Sequence, residues 1–400
     1  MSEEDEMARN VAVVFMVLLF ASLSMAITLT PVWEITRPEE CAEIRVFGIH
    51  LDDLGNPLVV CQTDSGFFRV DHTGVVSTLG TFSETENTSE RGIMSPTGKY
   101  LAIMNERWLE DGSSNGDVTV MKSDGTVVWE ETGTEYCEID LADEGPWSIA
   151  TIPEYTEAGY WFHDFVIRNP SGTIVYEQAL PQLIHFAVSS DGNVFSYVPG
   201  DTAFLINSGG ALQSTIPVLP PGLEDYRYER GCATSSFGFS AGYLIRSNPR
   251  NGQVVFGDST GTFGSPIEVQ DEWHGDIDIS ADGNYAVLGA GHKLYFMDKA
   301  SSSILWSVTD PDGFGARLYR SVKLTEDGSL VVGCVSQSDS TTSRLEIYDQ
   351  AGTELFNESY PTIGVIMAQM LPDGSFLAVE KEPPTWPEGD VSLILYQIIP

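Results

Sequence analysis

The chain has 400 residues and is strongly acidic, with 58 Asp and Glu against 20 Lys and Arg and a formal net charge of −38. Such a surface repels phosphates, so the charge argues against nucleic acid and anionic lipid as partners. A solvated, highly soluble exterior is one interpretation of the acidity, and a cation-binding surface is the other. No acidic cluster has the spacing of a calcium-binding loop, so no metal site is predicted.

The first predicted element is an uncharged apolar segment, Val11–Ala26. Its length lies between that of a signal-peptide core and that of a membrane-spanning helix. Ser24-Met25-Ala26 offers the small residues that a signal peptidase requires, whereas the acidic residues before the segment are atypical of a signal. We therefore predict that residues 1–28 form either a cleaved signal peptide or a retained membrane tether. Both alternatives place residues 29–400 outside the cytoplasm.

One structural unit is most complete between residues 277 and 306. Ile277 and Ile279 alternate with acidic residues, which predicts a strand with one buried face. A tight turn that ends at Gly283 follows, because Asp bonds its own backbone and Gly accepts a positive φ. Three further strands are predicted at Tyr285–Leu288, Leu294–Met297 and Ile304–Trp306. Four short antiparallel strands in about 45 residues are typical of one blade of a β-propeller.

The turn glycine of this unit recurs along the whole chain at intervals of 41 to 50 residues. The eight turn glycines are Gly55, Gly98, Gly145, Gly192, Gly242, Gly283, Gly328 and Gly374. Even spacing at the length of a single blade predicts eight blades. A second glycine turn marks the step from the third to the fourth strand in five units, at Gly74, Gly125, Gly172, Gly261 and Gly352.

The last unit lacks a fourth strand, because the chain ends after the third, at Ile394–Pro400. Thr30–Ile35 resembles the fourth strands that contain Trp129 and Trp306, so we predict that this N-terminal strand completes the last blade. The predicted fold class is therefore all-β, a single eight-bladed β-propeller. It is closed by an N-terminal strand in the last blade and preceded by one hydrophobic N-terminal helix.

The segment Asp298–Trp306 (DKASSSILW) is similar to the tryptophan-docking repeat of quinoprotein-like (PQQ-type) eight-bladed propellers. In that repeat an Asp precedes a Trp by eight positions, with Thr-Gly between them. Asp124–Trp129 (DGTVVW) is a shortened version, and only two or three blades carry the motif well. WD40-like repeats are the other near relative, although the chain has no Trp-Asp dipeptide. The resemblance supports the fold and not an activity, since propellers serve many unrelated functions.

Five cysteines are spread over different blades, and none is adjacent to another. Many quinoproteins carry a vicinal Cys-Cys pair, so the resemblance implies no quinone here and no cofactor is predicted. Cys61 and Cys334 occupy the same position in two blades that are not neighbours, so we do not expect them to pair. Buried free thiols are the predicted state.

Long, irregular connections between second and third strands and between blades share one predicted face, which we call the long-loop face. The main ones are residues 80–91, 105–116, 217–230, 309–317, 336–343 and 381–390. Binding residues gather on long loops held by a rigid scaffold, so this face is where we expect a ligand or a protein partner.

Five basic residues precede their turn glycines by seven to ten positions, at the start of the predicted innermost strand: Arg45, Arg91, His185, His274 and Arg320. One interpretation is a ring of cations beside the central channel that binds a small anionic ligand such as a carboxylate. The other is that each residue pairs locally with an acid, as Glu90 beside Arg91 suggests.

The sequence has no GxSxG, HExxH or P-loop motif, so no catalytic residue is predicted. We expect a monomeric, non-catalytic binding or scaffolding module at the cell surface that uses the long-loop face. The alternative is an enzyme with a site at the channel mouth that acts on a small anionic ligand, either a quinoprotein-like oxidoreductase or a hydrolase or lyase. An enzyme would need titratable groups with perturbed pKa values that converge in the channel.

Overall fold

The computed structural model describes residues 27–36, 44–63, 66–81, 88–95, 98–108, 114–132, 138–142, 148–155, 161–180, 185–189, 194–197, 202–207, 209–217, 227–230, 233–235, 238–247, 250–258, 262, 264–270, 276–310, 318–336, 342–360, 365–382 and 391–400. The predicted apolar helix, Val11–Ala26, lies outside these residues. Within them, no helix has the length and hydropathy that crossing a membrane requires.

The described strands form eight antiparallel sheets, numbered here in chain order, and β1 (Thr28–Thr36) belongs to the last of them. Sheet 1 contains β2 (Ile44–Leu51), β3 (Pro57–Thr63), β4 (Gly66–Val70) and β5 (Val76–Thr81). Sheet 2 contains β6 (Thr88–Met94), β7 (Tyr100–Trp108), β8 (Ser114–Lys122) and β9 (Val127–Thr132). Sheet 3 contains β10 (Glu138–Leu141), β11 (Ser148–Tyr155), β12 (Trp161–Arg168) and β13 (Ile174–Leu180). Sheet 4 contains β14 (His185–Val188), β15 (Val194–Tyr197), β16 (Thr202–Ile206) and β17 (Leu212–Pro217).

The second half of the chain follows the same plan, with one extra short strand. Sheet 5 contains β18 (Arg227–Arg230), β19 (Ala233–Ser235), β20 (Gly238–Ser247), β21 (Arg250–Phe256) and β22 (Ile267–Gln270). Sheet 6 contains β23 (Ile277–Ile279), β24 (Tyr285–Ala290), β25 (Lys293–Asp298) and β26 (Ser303–Thr309). Sheet 7 contains β27 (Leu318–Leu324), β28 (Leu330–Ser336), β29 (Ser343–Asp349) and β30 (Glu354–Tyr360). Sheet 8 contains β31 (Val365–Met370), β32 (Phe376–Glu382), β33 (Ser392–Ile399) and β1.

Tight turns join the first strand to the second in five of the six units whose predicted turn glycine is described. The glycines with a φ between 70° and 80° at these turns are Gly55, Gly98, Gly283, Gly328 and Gly374. The turns predicted at Gly145 and Gly192 lie outside the described residues. In sheet 6 the four predicted strands are all present, which confirms the four-strand unit there.

The turn predicted at Gly242 is wrong. Gly242 lies inside β20, where a β-bulge shifts the register between Ser240 and Gly242. The hairpin lies earlier in the chain, because β19 pairs with β20 up to Ser235↔Gly238. No Asp or Asn precedes Gly242 to cap a tight turn, and the apolar run Tyr243–Ile245 continues the strand instead of starting one.

The strand β1 forms one edge of sheet 8. It pairs antiparallel with β33 from Thr28↔Ile399 to Thr36↔Ser392, with a bulge before Trp33. The first and the last strand of the chain therefore share one sheet.

The apolar core lies between successive sheets. Phe296 of sheet 6 and Tyr319 of sheet 7 are fully buried in one cluster. A similar cluster joins the two ends of the chain, because Val46 of sheet 1 packs with Leu393 of sheet 8. At the same junction the Val46 amide donates to Oε2 of Glu380 at 2.9 Å.

Three tryptophans on fourth strands contact the glycine turn of the next sheet. The pairs are Trp33 with Gly74, Trp129 with Gly172 and Trp306 with Gly352. At Gly352, where φ is +83°, a Cβ would lie 2.7 Å from Cγ of Trp306, so only glycine leaves room for the ring. Nε1 of Trp306 donates to the carbonyl oxygen of Gln350 at 3.0 Å.

A β-bulge precedes each of these tryptophans. In sheet 2 the register changes between Val120↔Trp129 and Met121↔Val127, which leaves one residue unpaired. Bulges also interrupt the pairing of the third and fourth strands in sheets 3, 4, 6, 7 and 8. A bulge twists the strand and redirects its side chains, here toward the neighbouring sheet.

The first strand of each four-stranded sheet is an edge, and aspartates of the preceding sheet bind some of its free N–H groups. The donor amides are those of Val188, Val322 and Leu324, which lie 3.2, 3.0 and 2.9 Å from carboxylate oxygens of Asp140, Asp276 and Asp278. Each aspartate also accepts the N–H of the residue that follows it. Part of the acidity of the chain therefore joins successive sheets by satisfying edge donors.

Cys61 and Cys334 are buried thiols and neither is in a disulfide bond, which confirms the prediction for these two residues. Burial raises the pKa of the Cys334 thiol far above its ordinary value. The other three cysteines lie outside the described residues.

Candidate functional site

Four of the five predicted basic residues lie on the first strand of their sheets. They are Arg45 in β2, Arg91 in β6, His185 at the start of β14 and Arg320 in β27. The side chains of Arg91 and His185, and the whole of His274, lie outside the described part of the structure.

Arg45 and Arg320 are both exposed. Burial raises the pKa of Glu380 in sheet 8 well above its ordinary value, the neighbouring Glu382 adds to the rise, and the charge of Arg45 opposes it. Arg320 lies at a bulge between Tyr319 and Ser321. Neither arginine lines the cavities described next, so the ring of cations stays a prediction.

A groove of about 540 Å³ runs between sheets 1 and 2, on the face that carries the tight turns. Sheet 1 contributes His50, Leu51, Asp52, Asp53, Leu58, Arg69, Asp71, Val75 and Ser77 to its walls. Sheet 2 contributes Lys99, Tyr100, Lys122, Ser123 and Asp124. We call this cavity the sheet 1–2 groove. Its volume is within the range of about 300–1,000 Å³ that is usual for ligand sites.

A second pocket of about 230 Å³ adjoins the groove and shares His50, Leu51 and Lys99 with it. Its other walls are the turns of sheets 7 and 8, which supply Glu326, Leu371, Pro372 and Asp373. The lining residues of the two cavities together reach from the turns of sheets 7 and 8 to β5, the edge strand of sheet 1. We call the two cavities together the track.

Beside the groove, sheet 1 has a small residue at the level where sheets 2, 6 and 8 have tryptophan. In sheet 1 no bulge interrupts the start of β5, and Arg69, the counterpart of Val120 in sheet 2, pairs with Ser77. Ser77 therefore occupies the level at which Trp129 contacts the next turn. A Cβ on Gly125, the turn glycine opposite sheet 1, would meet only Leu79, at 3.7 Å.

Three cations line the groove in a chain that has only 20 Lys and Arg. Arg69 donates from Nη1 to the carbonyl oxygen of Ser123 at 3.4 Å, across the junction. Lys99 and Lys122 are exposed, and neither forms an ion pair with a carboxylate among the described residues.

Three of the acids that line the groove are used within their own turns. Asp52 accepts the amides of Leu54 and Asn56, both at 2.8 Å, and the bond from Asn56 lowers its pKa. Asp71 accepts hydrogen bonds from Thr73 and Val75, and Asp124 accepts one from Thr126. The carboxylates of these three acids bind the backbone of their own turns. The fourth acid, Asp53, is exposed, so four acids and three cations line the groove.

His50 closes the inner end of the groove and is buried, with no described partner for Nδ1. Burial lowers its pKa to about 4, against an opposing effect of Asp52. The imidazole is therefore neutral at pH 7 and adds no charge.

Apolar side chains are exposed around the groove. Val75 is 57% exposed and Leu51 42%. Both residues line the groove from sheet 1, and its sheet 2 wall carries two lysines and one aspartate.

No protein-family model matches the sequence, and no curated protein matches it significantly. Among solved structures, the C-terminal WD40 domain of Sif2 matches with a TM-score of 0.52 at 11% identity, covering 92% of this chain and 97% of that one. Hsv2 of K. marxianus matches with a TM-score of 0.47 at 12% identity over 74% of this chain and 89% of its own. The Dos1 propeller matches with a TM-score of 0.41 at 11% identity over 92% and 95%.

The first of these matches, together with the eight sheets, decides the fold. It is a WD40-like β-propeller. The propeller fold agrees with the WD40-like part of the predicted resemblance, and the comparisons give no support to the quinoprotein-like part. At such low identity the likeness concerns the fold alone, and the function must be argued from the site.

The sheet 1–2 groove was not predicted, because the predicted binding residues lie on the long loops. The sequence nevertheless contains an indication of the groove. The fourth strand of the first unit reads GVVSTLG where the second unit reads GTVVWEE, so a serine stands near the position of a docking tryptophan. Lys99 and Lys122, two of only six lysines, flank that position from the next unit.

Proposed function

We propose that this propeller is a non-catalytic binding or scaffolding module that holds a partner protein. The observation that carries the proposal is the sheet 1–2 groove, an open cavity lined by two lysines that form no described ion pair. Protein interiors are close-packed, and three other junctions of this molecule are filled by tryptophan. A junction left open, with two exposed lysines that form no described ion pair, is therefore better explained by binding than by stability.

We also propose that the eight sheets are the blades of one closed ring. Contacts follow the chain order, for example from Trp129 to Gly172 and from Trp306 to Gly352. They also return from the last sheet to the first, through the Val46 bond to Glu380 and through Trp33 against the turn of sheet 1. Removal of β1 should open the ring and lower the free energy of unfolding by several kcal/mol, which chemical denaturation would detect.

The proposed location is outside the cytoplasm, at the cell surface. It is supported by the apolar composition of Val11–Ala26 and by the soluble, acidic character of the rest of the chain. Fractionation of cells, with protease added from outside, tests it: the propeller should be cleaved in intact cells. Protection until the cells are lysed would contradict the proposed location.

The predicted long-loop face belongs to the proposal as a second binding surface. Most of its loops lie outside the described residues, and the ring of cations for a small anionic ligand stays part of the same prediction. The enzyme alternative gains no support from Glu380, the acid with the strongly raised pKa, because its Oε2 is occupied by the Val46 amide.

Two screens of the full-length protein test the function. A displayed library of random short peptides should yield an enriched sequence family if the module binds protein segments. A thermal-shift screen with quinones, organic acids and sugars tests the enzyme alternative, since a ligand at 100 times its dissociation constant adds about 2.7 kcal/mol. No enriched peptide, together with a quinone or organic-acid shift, would overturn the proposed function.

A further inference from the structure

The sheet 1–2 groove carries an inference about the chemistry of the partner, which rests on the proposed function. Its sheet 2 wall presents the ammonium groups of Lys99 and Lys122, and Arg69 adds a guanidinium from the opposite wall. Three of the four aspartates that line the groove accept hydrogen bonds from their own turns, whereas the two lysines form no described ion pair. Carboxylates are the complementary groups.

The shape of the track favours an extended chain over a small ion. The groove and the adjoining pocket share three lining residues and reach from the turns of sheets 7 and 8 to β5. A small carboxylate would occupy only one end. An extended segment can place successive side chains along the whole track.

The rim adds an apolar requirement. Leu51 and Val75, which line the groove opposite the two lysines, are 42% and 57% exposed. An exposed apolar rim of this kind is stabilised when a partner covers it. A segment that carries both acidic and apolar side chains satisfies the wall and the rim together.

We propose that the sheet 1–2 groove binds an extended segment of a partner protein that alternates acidic and apolar side chains. The carboxylates pair with Lys99 and Lys122, the apolar side chains cover Leu51 and Val75, and the backbone follows the track toward the turn of sheet 8.

The test compares variants of the full-length protein with the enriched peptides of the displayed library. Enriched sequences should be rich in Asp and Glu, and their affinity should fall as the salt concentration rises. The double variant Lys99→Glu/Lys122→Glu should weaken binding about tenfold or more, since it places like charges opposite each other. Ser77→Trp should abolish binding, because the indole would fill the groove against Gly125.

The matched control is Ser307→Trp, which adds the same side chain at an exposed position on the edge strand of sheet 6. It should bind the peptides as the unaltered protein does. Circular dichroism and thermal unfolding show whether each variant is folded, and a misfolded Ser77→Trp would leave the lysine variant as the deciding measurement.

Several results would overturn this inference without touching the proposed function. Enrichment of peptides without acidic residues would do so, as would acidic peptides whose affinity the groove variants leave unchanged. Loss of binding in Arg320→Glu alone would place the site at the channel instead. A dimer in light scattering that Ser77→Trp dissolves would identify a second copy of this chain as the occupant.

Discussion

Between sheets 6 and 7, aromatic rings fill the space beside the fourth strand, whereas between sheets 1 and 2 the same space is a groove. Tyr285, Phe296, Trp306 and Tyr348 form the column, with successive ring centroids 5.4, 5.2 and 5.4 Å apart. The counterpart level of sheet 1 holds Ser77. At this level of the repeat, the junction of sheets 6 and 7 is filled by an aromatic ring and the junction of sheets 1 and 2 is open.

The charged side chains of the two junctions also differ, because they are ion-paired in one junction and exposed in the other. Between sheets 6 and 7, Arg344 forms an ion pair with Asp310 at 2.7 Å and contacts Glu346, so its charge is used internally. Between sheets 1 and 2, Lys99 and Lys122 face the groove and form no described ion pair. The cationic side chain between sheets 6 and 7 is therefore paired with acids, whereas the lysines between sheets 1 and 2 are exposed to solvent.

The largest expected effect is on the filled junction. Trp306→Ala removes the centre of the aromatic column and the bond to Gln350, so the free energy of unfolding should fall by about 3 kcal/mol. Chemical denaturation measures the change. The control is Leu305→Ala at a 47% exposed neighbour, which should cost about 0.5 kcal/mol or less. Equal losses for the two variants would show that the column does not stabilise the junction.

A smaller loss of stability is expected where Asp278 links the first strands of sheets 6 and 7. Asp278→Ala removes the acceptor of the Ile279 and Leu324 amides, each at 2.9 Å, and should cost about 2 kcal/mol. Native-state hydrogen exchange locates the effect, because the Leu324 amide should exchange faster than in the unaltered protein. Unchanged protection at Leu324 would mean that the aspartate does not hold this edge.

At the junction of sheets 8 and 1, the substitution Glu380→Gln is expected to raise the stability of the protein by an amount that depends on pH. Burial raises the pKa of Glu380, so the stability that its neutral form contributes is present below the unfolded pKa and is lost as the pH rises through the raised folded pKa. Glu380→Gln cannot ionise and still offers an acceptor to Val46. The free energy of unfolding of this variant should equal that of the unaltered protein near pH 4 and exceed it by about 1 kcal/mol or more at pH 8.

Denaturation at both pH values measures that difference. Glu130→Gln, at an exposed position of β9, is the control and should show no such pH dependence. A Glu380→Gln variant that is less stable than the unaltered protein at pH 8 would contradict the assignment of a neutral carboxyl.

The smallest effect on stability is expected at the open junction. Ser77→Trp makes sheet 1 resemble sheet 6, so the indole should pack near Gly125 and change the free energy of unfolding by about 1 kcal/mol or less. A loss of several kcal/mol in chemical denaturation would mean that the groove lacks the room that the comparison assigns to it.

Much of the fold could be predicted from local signals. Glycine turns such as Gly283 and Gly328 follow from residue type, and the alternation around Ile277 follows from one buried face. Gly242 was predicted wrongly because glycine also occurs at bulges within strands. The pairing of β1 with β33 could be proposed because Trp33 resembles Trp129 and the last unit is short of a strand.

The groove could not be predicted from the same signals. It depends on the register between β4 and β5, where the absence of a bulge after Val76 puts Ser77 opposite the next turn. Register and inter-sheet contact are tertiary properties, and the sequence shows only that a tryptophan is missing. Asp276 of sheet 6 likewise binds the Val322 amide only because the edge strand of sheet 7 lies beside it, which is also a tertiary property.

The most direct test of the account is one binding measurement on three proteins. The affinity for an enriched acidic peptide should be the same for the unaltered protein and for Trp306→Ala at a temperature where both are folded, and it should be lost in Ser77→Trp. That result would separate the junction that stabilises the molecule from the one that binds. Undiminished binding by a folded Ser77→Trp, or loss of binding in a folded Trp306→Ala, would contradict it.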